Sequence, residues 1–99
     1  MHIERKDSDG ETIFIIMEEL GSNNVSALSD ELGHFVRTDK RNAVIDLSFV
    51  RKIDSISIAA LIRIKNMLAE NGRTMLLTNP NENVFRVLEL AGLEKFLLE

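Results

Sequence analysis

The sequence predicts an α/β domain built on a mixed sheet of four to five strands, opened by an N-terminal hairpin and packed with helices. Three observations carry this. Two strand-like segments, Met1 to Lys6 and Glu11 to Glu18, flank the turn-rich stretch DSDG. The segment AVIDLSFV is short and apolar, the pattern of a strand buried in a parallel sheet. Three further stretches place apolar residues at helical spacing between these strands. A hairpin followed by alternating helices and strands implies parallel crossovers beside one antiparallel pair.

The elements follow in order. The hairpin's second arm, ETIFIIME, is β-branched and apolar, as a pleated strand prefers. A first helix follows, with Asn23 or Asn24 placed to cap it and with Val25, Leu28, Leu32 and Phe35 on one face. Residues 38–42 form a polar connector, and AVIDLSFV is the next strand. Asp54 or Ser55 then caps a long helix that Gly72 ends. RTMLLT is another strand. NPNENVFRVLELAG starts with Asn79-Pro80 turn chemistry, turns Val84, Val87, Leu88 and Ala91 to one side, and stops at Gly92. LEKFLLE is expected as a last short strand or an extended tail. The predicted order is β-β-α-β-α-β-α-β.

Composition narrows the function. A chain of 99 residues fits one domain spanning 1–99, and 44% hydrophobic residues suffice for a core. With no Trp or Tyr, that core is expected to be aliphatic. The net charge of −4, without a basic block, argues against nucleic-acid binding and a polybasic membrane anchor. The absence of cysteine removes disulfides, thiol catalysis and zinc-thiolate sites. No segment reads as a signal peptide or a transmembrane helix, so a cytoplasmic protein without membrane insertion is expected. His2 and His34 lack metal spacing, and no glycine-rich phosphate loop occurs. Glu18 and Glu19, read on a strand, point to opposite faces and make a poor acid/base pair. The expectation is a non-enzymatic protein with no metal or cofactor.

The most informative stretch is KIDSISIAAL, residues 52–61, with small polar residues at the front of an apolar run. On a helix starting at Ser55, Arg63, Asn66 and Glu70 face water, while Leu61, Ile64 and Leu68 face the sheet. Ser57 falls near the inner group and reads as a small packing residue. Ile56, Ala59, Ala60 and Met67 fall beside Arg63, where they form either a partner surface or a strip covered by another element. Ser55 sits on this outer side, at a helix start whose free N–H groups and dipole tolerate a phosphate.

AVIDLSFVRKIDSISIAALI resembles the strand, Asp-Ser segment and helix of the STAS domain family, in particular of single-domain bacterial anti-sigma-factor antagonists. NVFRVLELAGLEKFL resembles that family's C-terminal helix and its glycine-leucine exit. The resemblance spans essentially the whole chain. It implies a partner switch. The unphosphorylated antagonist binds an anti-sigma factor that is also a serine kinase, phosphorylation releases it, and a serine phosphatase restores it. By position the phosphoacceptor is Ser55, preceded by Asp54. The implied partner surface comprises Asp54, Ser55, Ile56, Ala59, Ala60, Arg63 and Met67, with Gly21, Ser22, Asn23 and Asn24 from the neighbouring loop. Two positions differ from the family pattern: Ile56-Ser57 stands where Ser-Gly is usual, and Gly21 stands where many relatives carry an acid. Two other readings compete. A receiver domain with Asp46 as acceptor lacks the paired acids after the first strand. A STAS adaptor in another switching or transport complex is compatible with the same residues.

Overall fold

A computed structural model describes residues 1–98. The elements are β1 (Ile3–Asp7), β2 (Glu11–Ile16), α1 (Val25–Thr38), β3 (Asn42–Asp46), α2 (Ser55–Glu70), β4 (Met75–Thr78), α3 (Glu82–Leu90) and α4 (Glu94–Leu98). The strands form one sheet in the order β1-β2-β3-β4. β1 runs antiparallel to β2, closing at Asp7↔Thr12, whereas β2, β3 and β4 are parallel.

This sequential order determines how the sheet is covered. Right-handed crossovers that always step the same way place their helices on one face. Burial follows that rule. Thr12, Phe14, Ile16, Ala43, Ile45, Met75 and Leu77 are buried, while the alternate residues Ile13, Ile15, Val44 and Leu76 remain half-buried on the other face. β3 is therefore not covered on both faces, as its unbroken apolar run implied.

Under the helices, Leu28, Leu32 and Phe35 of α1 and Leu61, Ile64 and Leu68 of α2 meet the sheet. Phe14 and Phe35 pack edge to face, with ring centroids 5.0 Å apart. The core is thus mostly aliphatic, with one aromatic pair inside it.

Several local expectations are corrected. The hairpin strands are shorter than expected, so Glu18 and Glu19 lie in the β2–α1 loop rather than on a strand. β3 ends at Asp46, and the chain then turns, with the Val50 N–H donating to the Leu47 carbonyl at 2.9 Å. Asn24 precedes α1 but does not cap it with its side chain. Its amide turns back into the loop, accepting from the Gly21 N–H at 3.0 Å and donating to the Glu19 carbonyl at 2.6 Å. The segment from Leu93 is a helix and not a strand. Gly92, at φ +73°, reverses the chain, and Leu93 and Leu97 then fall four residues apart on one inward side. The observed order ends α3-α4, and the sheet has four strands.

Candidate functional site

The parallel strands end on one side of the sheet, where three loops meet: Met17 to Asn24, Leu47 to Asp54, and Asn79 to Asn81. Crevices at such ends are the usual place for interaction sites in α/β sheets. The middle loop leads to Ser55 and is fixed by its neighbours. The Glu19 carboxylate accepts from the Arg51 N–H at 3.0 Å and the Lys52 N–H at 2.9 Å. Asn81 donates to the Arg51 carbonyl at 3.2 Å. Val50 and Ile53 are buried beneath.

Asp54 is the residue that caps α2. Its Oδ1 accepts from the Ser57 N–H at 2.9 Å. That N–H is the chief cause that holds the Asp54 carboxyl below the usual carboxylate range. Ser55, the first helical residue, is exposed and is not needed as the cap. Ser57 is fully buried, as its inward direction predicted.

The other expected surface residues divide. Ile56 is 51% exposed, and Ala59 and Arg63 also face solvent. Ala60 is buried and Met67 is half-buried against the core, so neither belongs to an open strip. For Ala60 the cause is α1, which packs beside α2 there. What remains between the helices is a groove of about 540 Å³, floored by Val25, Ile56, Ala59 and Ala60. Its walls are Ser26, Ser29 and Asp30 of α1 and Arg63 of α2, whose Nη2 lies 3.4 Å from the Ser29 hydroxyl.

In the adjoining loop, Ser22 and Asn23 are exposed, while Gly21 and Asn24 are half-buried. Gly21 abuts the helix start: a Cβ there would lie 3.6 Å from Asp54 Oδ2 and 3.4 Å from Asn23 Oδ1. The loop and the Asp-Ser segment, 33 positions apart in sequence between Gly21 and Asp54, therefore form one surface.

Four residues of this surface have no local sequence signal that marks them. Val25, Ser26 and Ser29 were visible as an i, i+1, i+4 group on α1, but nothing local says that they face α2. Phe49 is 56% exposed. Continued strand alternation would have put it on the inner face with Leu47, and the turn after Asp46 swings it out. Among the described residues no cluster of three His, Asp or Glu side chains could hold a metal, and no helix is long and apolar enough to cross a membrane.

The STAS domain family model matches residues 2–98. The chain belongs to the STAS family. Its fold is that of solved STAS proteins. A crystal structure described as a candidate anti-sigma factor antagonist from Thermotoga maritima superposes with a TM-score of 0.88 at 26% identity, covering 97% of this chain and 83% of that one. The anti-sigma factor antagonist SpoIIAA in its unphosphorylated form gives 0.85 at 13% identity, over 98% and 86% of the two chains. The Bacillus cell fate determinant SpoIIAA in its phosphorylated form gives 0.75 at 12% identity, over 98% and 89%. This STAS domain thus shares its mixed four-stranded sheet, N-terminal hairpin and helix arrangement with both forms of SpoIIAA.

Proposed function

We propose that this STAS domain is an anti-sigma-factor antagonist that changes partners through Ser55. Unphosphorylated, it binds an anti-sigma factor that is a serine kinase. Phosphorylation of Ser55 releases it, and a serine phosphatase returns it to the binding form. The domain works in the cytoplasm as a single binding module, residues 1–99, with no cofactor and no catalytic step of its own.

One observation carries the reading. The exposed hydroxyl of Ser55 stands at the helix start while Asp54 supplies the cap, so modification costs the fold no structural hydrogen bond. A phosphate there adds about −1.5 to −2 charges. The free N–H groups of the first turn tolerate it, and Asp54 beside it adds to the sign change of the surface. The similarity to an antagonist solved in unphosphorylated and phosphorylated forms supports the same cycle here. The surface engaged comprises Asp54, Ser55, Ile56, Ala59 and Arg63, with Gly21 to Asn24 alongside.

The test uses a serine kinase of the anti-sigma type encoded near this gene, with ATP, and mass spectrometry to locate phosphate. Wild type should gain phosphate at Ser55 and S55A should not, while S55D should lose binding to the kinase. An unmodified Ser55 together with an S55D variant that binds as tightly as wild type would overturn the proposal.

A further inference from the structure

The end of the sheet that carries Ser55 distributes its charges unevenly. The carboxylates of Glu18, Glu19, Asp46 and Asp54 lie there, and each is turned into backbone N–H groups. Glu18 accepts from the His2 N–H, which holds its carboxyl below the usual range. Glu19 takes the Arg51 and Lys52 N–H groups and is likewise lowered. Asp46 is partly desolvated, which works against ionisation, yet the Ser48 N–H at 2.9 Å and the Asn79 amide keep it low. Asp54 is taken by Ser57.

The cations behave in the opposite way. The Arg51 side chain is 83% exposed and reaches Glu19 only at 3.5 Å, a contact of little strength. Lys52 is exposed, and among the described residues its ammonium has no ion-pair partner. Their backbone is nevertheless held by Glu19 and Asn81. In a chain of net charge −4, two cations on an anchored loop project three and four positions before Ser55.

We propose that the exposed Arg51 and Lys52 side chains dock an acidic segment of the partner protein, and that phosphate on Ser55 releases the partner by outweighing these two cations. The inference rests on Ser55 being the phosphoacceptor and adds the chemistry of what it faces. The Arg51 and Lys52 cations stand against the Glu19 and Asp54 carboxylates, and a phosphate of about −1.5 to −2 on Ser55 tips this balance to a clear negative excess. Three and four residues of chain span at most about 10–14 Å, so the phosphate and the two cations act on each other most strongly at low salt, where the screening length reaches about 30 Å at about 0.01 M. An anchored loop loses little entropy on docking, and paired charges of opposite sign raise the association rate.

The test has two arms. In the first, a hexaglutamate peptide is titrated into the isotope-labelled protein at low salt and followed by NMR. Shifts should centre on Arg51 to Ile56, and affinity should fall about tenfold in R51E/K52E and several-fold in S55E. Shifts centred elsewhere, or insensitive to R51E/K52E, would overturn the proposal. In the second, the association rate with the serine kinase is measured against salt. R51E/K52E should lower the rate and flatten its salt dependence, and an unchanged profile would sink the patch. The two ideas separate cleanly. Phosphate on Ser55 with no effect of R51E/K52E removes the patch and leaves the switch. A peptide response with Ser55 never modified removes the switch, and with it the proposed mode of release.

Discussion

Ile56 and Ile58 stand two positions apart in the first turn of α2, and the structure gives them opposite roles. Ile56 retains 51% of its exposure and Ile58 only 7%. Burying an isoleucine side chain fully is worth about 1.5–3 kcal/mol. Ile58→Ala removes nearly all of that and leaves a cavity, so it should cost about 2–5 kcal/mol. Ile56→Ala forfeits only the covered half, about 1 kcal/mol, and regains a few tenths from alanine's better helix propensity. The two variants should therefore differ by about 1–4 kcal/mol in stability. In urea, with a slope of about 1–2 kcal/mol per molar, a difference of about 2 kcal/mol separates their midpoints by about 1–2 M. Partner binding should rank them the other way. The half of Ile56 still exposed can contribute about 1 kcal/mol to an interface, or about fivefold in Kd, while a folded Ile58→Ala variant should bind normally. Coincident urea midpoints would mean that α2 is rotated from the orientation described. An unchanged Kd for Ile56→Ala would remove that residue from the interface.

Two further predictions concern the loops around Ser55. Glu19 is held below its ordinary value of 4.5, chiefly by the Arg51 N–H, so its ionised form favours the folded state. That contribution is present above the unfolded pKa and lost as pH falls through the lowered folded one. Glu19→Gln should therefore be less stable than wild type at neutral pH and converge with it in acid, read from urea midpoints across pH. A gap independent of pH would refute the charge argument. Gly21→Asp would set a second carboxylate beside Asp54, given a Cβ position 3.6 Å from Asp54 Oδ2. It should raise the Asp54 pKa from its lowered position and destabilise the fold at neutral pH, the loss fading once both groups protonate. An NMR titration that finds the Asp54 pKa unmoved would contradict this proximity.

Much of α2 was legible from the sequence. Asp54 offers a cap, Leu61, Ile64 and Leu68 mark an inner stripe, and Gly72, at φ +69°, marks the stop. Ser57 was legible as a buried packing residue for the same reason. Ala60 and Met67 were not, because a helical repeat gives a direction around the axis but not the neighbour met there. For Ala60, α1 supplies that neighbour, and Met67 packs against the core. Asn24 had the residue type of a cap, yet its amide satisfies Gly21 and Glu19 in the loop instead. LEKFLLE was ambiguous because so short an apolar run fits either period, and packing of Leu97 resolves it as a helix.

Residue types and their local spacing sufficed for the element order up to α3, the inner stripe of α2 and the place of Ser55 at a helix start. These depend on interactions within about four residues, such as caps and i, i+4 stripes. On α3, by contrast, only Val84 and Leu88 of the expected face are buried, and Val87 and Ala91 are exposed. The groove between α1 and α2, the approach of Gly21 to Asp54 and the anchoring of Arg51 and Lys52 depend on the folded chain. The Glu19 carboxylate reaches the Arg51 N–H across 32 positions. No local period encodes such a contact. It exists because parallel crossovers bring the ends of β2 and β3 side by side, and there a carboxylate and two free N–H groups satisfy one another.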